Sequence, residues 1–99
     1  GVLTSADVRA IARRARRNGG AVVVSDCDGI GVLRFVLNLL KIRVKKYVAV
    51  EISDVAFEAM LANNGDFEGE IIRVKDVCDY KSLLEALGDD AIDIYIAGP

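Results

Sequence analysis

The sequence predicts an α/β protein built on a doubly wound parallel sheet of about four strands, in the order 3-2-1-4, with helices on its flanks. Three observations carry this expectation. Segments with helical apolar spacing alternate with short runs dominated by Val, Ile and Ala. The breaks between them fall at Gly, Asn and Asp, residues that stop or start helices. The composition suits a packed core: 53% of the 99 residues are apolar and one is proline. A chain of this length makes one domain at most.

Each element follows in turn. Thr4 or Ser5 caps a first helix, with Asp7 near its positive end and Val8, Ile11, Ala12 and Ala15 on one face. Asn18, Gly19 and Gly20 end it. Ala21 to Ser25 reads as a buried strand, and Asp26 to Gly31 as a glycine-bearing turn. Leu33, Val36, Leu37 and Leu40 mark a helix over about 31–40. Tyr47 to Glu51 is the second strand. Asp54 caps the next helix, which carries Phe57, Met60 and Leu61 and breaks at Asn63, Asn64 and Gly65. Glu70 to Val74 is the third strand. Leu83, Leu84 and Leu87 define a helix ended by Gly88, and Ile92 to Ile96 is the fourth strand. Parallel strands need crossover connections, and the helices between strands supply them.

Composition narrows the chemistry. Histidine is absent, and Cys27 and Cys78 lack metal-ligand spacing, which argues against zinc and against imidazole acid/base catalysis. Two cysteines so spaced read as reduced intracellular thiols. No apolar run approaches the roughly 20 residues of a membrane span. Charge is unevenly spread. Residues 1–20 hold five Arg against one Asp, a net of +4; the rest holds eight Lys/Arg against fourteen Asp/Glu, a net of −6. A chain this acidic is a poor partner for nucleic acid except at its first helix, where Arg9, Arg13, Arg16 and Arg17 recur at helical spacing. Those arginines read as a solvated face, or more sharply as a contact for a DNA backbone.

Ligands of doubly wound sheets sit beyond the carboxyl ends of the strands. Here those ends carry Asp28-Gly29-Ile30-Gly31, then Glu51, then Asp76. Glycines after a first strand let backbone amides approach a ligand at a helix N-terminus. Glu51, twenty residues beyond Gly31, can accept both hydrogen bonds of a ribose diol. Asp76 can accept from an adenine amino group. The three positions together describe an adenosine site, although each alone has a purely structural reading: a tight turn, a solvated strand end, a helix cap.

Two other chemistries compete. The dinucleotide fingerprint needs a third glycine where Arg34 stands, which disfavours a nicotinamide cofactor. Val22-Val23-Val24-Ser25-Asp26-Cys27-Asp28-Gly29 resembles the nucleophile motif of haloacid-dehalogenase-like phosphatases, with Asp26 as nucleophile, Asp28 as acid/base and magnesium between them. Gly88-Asp89-Asp90 resembles that family's later acidic motif, but it precedes a strand here rather than following one.

From Val23 to Gly98 the sequence resembles cytosine-5 DNA methyltransferases, nearest the plant domains-rearranged and animal de novo enzymes. Asp28-Gly29-Ile30-Gly31 matches the second half of their Phe-x-Gly-x-Gly cofactor turn. Tyr47-Val48-Ala49-Val50-Glu51-Ile52-Ser53-Asp54 is similar to their second strand, Lys75-Asp76-Val77 to their Asp-Val at the third, and Ile92 to Gly98 to the strand leading into their Pro-Cys loop. The resemblance implies a Rossmann-like fold and an S-adenosyl-L-methionine site. In it the backbone of Asp28, Gly29, Ile30 and Gly31 holds the methionine part, Glu51 the ribose, Ile52 the adenine face, and Asp76 and Val77 the adenine edge.

The family nucleophile is a cysteine just past the fourth strand, and no residue up to Pro99 occupies its place. The resemblance therefore implies a partial methyltransferase-like domain over 1–99, a basic helix over 1–19 followed by the cofactor-binding subdomain over 20–99, inactive by itself. It further implies DNA as the partner of the complete parent domain, and a nuclear setting. Cys27 stands where the family has Phe, and Leu33 where the nearest relatives have glycine. Those departures fit an alternative, a non-catalytic regulatory homologue that works through homo- or hetero-oligomers with a methyltransferase-like partner.

Overall fold

A computed structural model of the chain describes residues 5–26, 43–76 and 78–97. Its elements are α1 (Ser5–Arg17), β1 (Ala21–Asp26), β2 (Val44–Val50), α2 (Asp54–Asn63), β3 (Glu70–Val74), α3 (Tyr80–Leu87) and β4 (Ile94–Ala97). The four strands form one sheet in the order β3-β2-β1-β4, and every pairing is parallel. This is the predicted α/β Rossmann-like arrangement. The helix expected over 31–40 lies outside the described residues.

Side-chain alternation along each strand divides the core in two. Ala21 and Val23 of β1, with Val44, Tyr47 and Ala49 of β2, face Ala15 of α1 and Met60 of α2; Val8, Ile11 and Phe57 pack at the margin. Val22, Val24, Val48, Val50 and Val74 face the opposite way, against Ala86 and Leu87 of α3. Thus α1 and α2 cover one face and α3 the other. The central strands β1 and β2 are buried on both sides, so they read as continuous apolar runs. Ala12 and Ala15 are buried at the inner face of α1, where their small side chains let the helix approach the sheet closely.

Several boundaries differ from expectation. β2 begins at Val44 rather than Tyr47, because Lys45 and Lys46, charged as they are, are accommodated within it. Ala21 pairs with Val44 and Val22 with Lys46, which leaves Lys45 as the extra residue of a bulge. The Lys45 ammonium donates to the Asn18 carbonyl just past the end of α1 (3.0 Å), and the Lys46 ammonium donates to the Ala86 and Leu87 carbonyls at the end of α3 (2.9 and 3.2 Å). Both reach Asp90, whose carboxyl is held below its ordinary range by Lys46 and then Lys45. Neighbouring cations so placed satisfy carbonyls at two helix ends.

The helix starts also shift. Ser53, not Asp54, caps α2: its hydroxyl accepts from the Ala56 amide at 3.2 Å. Asp79 caps α3 by accepting from the Ser82 amide and hydroxyl. Leu61 and Leu84, two of the residues that mark these helices in the sequence, are exposed; Leu83, Ala86 and Leu87 form the inner side of α3.

Gly20 links α1 to β1 with φ of 137°, and its amide donates to the Ala15 carbonyl at 2.7 Å. A Cβ there would lie 2.9 Å from both Cβ and N of the bulged Lys45. Gly20→Ala combines an unfavourable φ with a backbone overlap, so a loss of about 2 kcal/mol is expected in urea unfolding. A loss below about 0.5 kcal/mol would show that the bulge yields freely.

Candidate functional site

Parallel pairing brings the strand ends to one edge. Asp26 pairs with Val50 on one side and with Ala97 on the other, and Val50 pairs with Val74. The Glu51 amide donates to the Val74 carbonyl at 2.9 Å, carrying the β2–β3 pairing one residue further. Of the expected cofactor residues, Glu51, Ile52 and Asp76 therefore stand at the tips of adjacent strands. Asp28, Gly29, Ile30, Gly31 and Val77 lie outside the described residues.

Glu51 is half-buried, and among the described residues its carboxylate has no hydrogen-bond partner. A carboxylate in that state offers two acceptor oxygens. Ile52 is 76% exposed, an apolar side chain presented to solvent directly beside that acid. Asp76 has a local duty: its Oδ1 accepts from the Cys78 amide at 2.9 Å, bracing the turn into α3. Its second oxygen has no partner among the described residues. An acceptor pair, an apolar surface and a further acceptor on neighbouring strand tips suit the ribose, the adenine face and the adenine amino group of an adenosyl ligand.

The geometry of this edge depends on a residue that sequence reading missed. Arg73, near the end of β3, donates through Nε to the Glu51 carbonyl at 3.0 Å and through Nη2 to the Ile52 carbonyl at 3.3 Å. Its Nη1 lies 2.6 Å from Asp54 Oδ1, and its guanidinium sits 5.0 Å from the centroid of the Phe57 ring. One planar fork thus ties the β3 end to both carbonyls of the β2–α2 turn and to the first turn of α2. The Arg73 hydrogen bond, then the charge of Lys75, hold the Asp54 carboxyl below its ordinary 3.8. The sequence carries little signal for this role, because β3 stands at the edge of the sheet, where a charged residue such as Arg73 in Glu70-Ile71-Ile72-Arg73-Val74 is ordinary.

On the other side of the edge, the Tyr95 hydroxyl of β4 donates to Asp26 Oδ2 at 3.1 Å. Asp89 and Asp90, the later acidic pair of the phosphatase comparison, fall elsewhere. They follow α3, and Asp90 pairs with Lys45 and Lys46 at the start of β2, the opposite end of the sheet from Asp26. No three His, Cys, Asp or Glu side chains converge as a metal-ligand set among the described residues. Nor is any described helix long and apolar enough to cross a membrane. No protein-family model matches the chain, and no curated protein matches it.

Proposed function

We propose that this chain is the S-adenosyl-L-methionine-binding subdomain of a DNA cytosine-5 methyltransferase-like protein. The observation that carries the reading is the 3-2-1-4 parallel order, with exposed Ile52, half-engaged Asp76 and a Glu51 carboxylate that has no hydrogen-bond partner among the described residues, all on adjacent tips. DNA is then the partner of the complete parent domain, in the nucleus, and the cofactor supplies the methyl group.

The regulatory, partner-binding reading draws on one observation, the exposure of Tyr80 and Leu84 one turn apart on α3. The phosphatase reading is less well supported, since Asp89 and Asp90 lie at the end of the sheet away from Asp26.

Titration calorimetry with S-adenosylhomocysteine, the demethylated product, tests the proposal. Binding is expected, and Glu51→Ala weakens it by about tenfold or more, the cost of losing charge-assisted hydrogen bonds to the ribose. Absence of heat at millimolar ligand, or equal affinity in Glu51→Ala, would remove the cofactor role.

A further inference from the structure

The arginines of α1 separate into two groups. Arg14 turns toward the sheet: its Nε lies 2.8 Å from Oδ1 of Asp93, an acid only 3% exposed. Arg9, Arg13, Arg16 and Arg17 are all exposed, and none has an acidic partner among the described residues. At 3.6 residues per turn the four fall within an arc of about 100°, along about 12 Å of helix axis. Ala10, Arg13, Arg16 and Arg17 line a shallow concavity on that side. Four cations on one helix face, without an acidic partner among the described residues and in a chain whose net charge is −2, form a local positive field that attracts a polyanion.

The packing argues against a lipid surface as that polyanion. A helix that lies in a membrane surface must sink its apolar side into the lipid. The apolar side of α1, made of Val8, Ile11, Ala12 and Ala15, is already packed against the sheet. What remains outward is charge without an apolar wedge, which suits a phosphate backbone. A duplex presents about seven phosphates over the same 12 Å.

We propose that the outer face of α1 is a binding surface for the phosphate backbone of duplex DNA, made by Arg9, Arg13, Arg16 and Arg17. The surface lies before residue 23, outside the region that resembles methyltransferases. Its contacts are independent of base sequence and of the strand-tip site. Only the choice of DNA over RNA rests on the proposed function.

Fluorescence anisotropy with a labelled 20-base-pair DNA duplex, without cofactor, tests the surface on the full chain. Affinity falls with salt, with a log–log slope of about −3 to −4 for four contacts. Arg13→Gln/Arg17→Gln reduces that slope by about 2 and weakens binding at least about tenfold at 0.1 M salt. Lys81→Glu, on α3, changes net charge by the same two units and leaves binding nearly unchanged. The substituted arginines are solvent-exposed, so unfolding midpoints stay at the wild-type value.

Four results would overturn the proposal: no duplex binding at low salt, equal weakening by Lys81→Glu, capture by anionic phospholipid vesicles without capture by duplex, or binding of duplex RNA but not DNA. Because the measurement omits the cofactor, its failure leaves the calorimetric test of the strand-tip site unaffected, and the reverse holds.

Discussion

Asp93→Ala is expected to lower stability by about 3 kcal/mol, the largest single effect at a residue outside the strand-tip site. Asp93 stands just before β4 and is 3% exposed. Its Oδ2 accepts from the Val22 amide at 2.8 Å, its Oδ1 faces Arg14, and its own amide donates to the Val22 carbonyl at 2.9 Å. Truncation leaves the buried Val22 amide without its acceptor and removes a charge-assisted bond, which together account for a loss of that size. Arg14 is half-exposed and returns to water, so Arg14→Ala costs less than about 1 kcal/mol. Asp93→Asn keeps an acceptor for Val22 and loses roughly half. For a domain of this size each kcal/mol moves the melting temperature by about 4–8 °C, so calorimetry resolves the three variants. A melting temperature for Asp93→Ala within a degree of wild type would mean that Val22 finds another acceptor.

Arg73→Ala carries the largest effect expected on ligand binding by a residue that need not touch the ligand. Without the fork, the Glu51 and Ile52 carbonyls lose their tether to β3, and the Glu51 side chain loses its fixed origin. A drop in S-adenosylhomocysteine affinity of about tenfold is expected, equal to about 1.4 kcal/mol. Arg73→Lys does not restore it, because a single ammonium cannot serve two carbonyls, a carboxylate and a ring face together.

A second readout separates positioning from general loss of structure. Asp54 is held below 3.8 first by its hydrogen bond to Arg73 and then by the charges of Lys75 and Arg73. A lowered folded value means that the pair's contribution is present above 3.8 and is lost as pH falls through the folded value. In Arg73→Ala the Asp54 carboxyl therefore titrates closer to 3.8, kept slightly below it by Lys75, and this part of the acid-side destabilisation shrinks. Carboxyl chemical shifts followed against pH check this. An unchanged Asp54 titration, or unchanged affinity with a normal fold, would show that Arg73 does not hold the turn.

The fold was open to sequence reading because its signals are local. Four short apolar runs separated by helical periodicity are enough to imply crossovers and a parallel sheet; the order 3-2-1-4 is one of the doubly wound orders that such crossovers allow. Even the errors were local. The sequence places the start of the second strand at Tyr47, whereas β2 begins at Val44 and the Lys45 and Lys46 side chains reach helix-end carbonyls. Leu84, one of the three leucines that mark α3 in the sequence, is exposed, and the packed side of the helix runs through Leu83, Ala86 and Leu87. At the candidate site, Glu51 and Asp76 could be assigned to strand ends from spacing alone. The structural reading of Asp76 as a cap for the following helix is shifted: Asp79 caps α3, and Asp76 accepts from the Cys78 amide in the turn before it.

By itself the sequence determined the described strands and helices, their succession along the chain, the parallel sheet that crossover connections imply, and the edge at which its acids gather, because periodicity and caps act over a few residues. Only the tertiary structure decided how that edge is held and how the arginines are divided. The Arg73 fork reaches back 22 positions to Glu51, and the Asp93 carboxylate reaches 71 positions to Val22 and 79 to Arg14. Contacts between residues so far apart leave no periodic trace. They form when packing excludes water from a polar group and the nearest opposite partner, wherever it lies in the chain, must satisfy it.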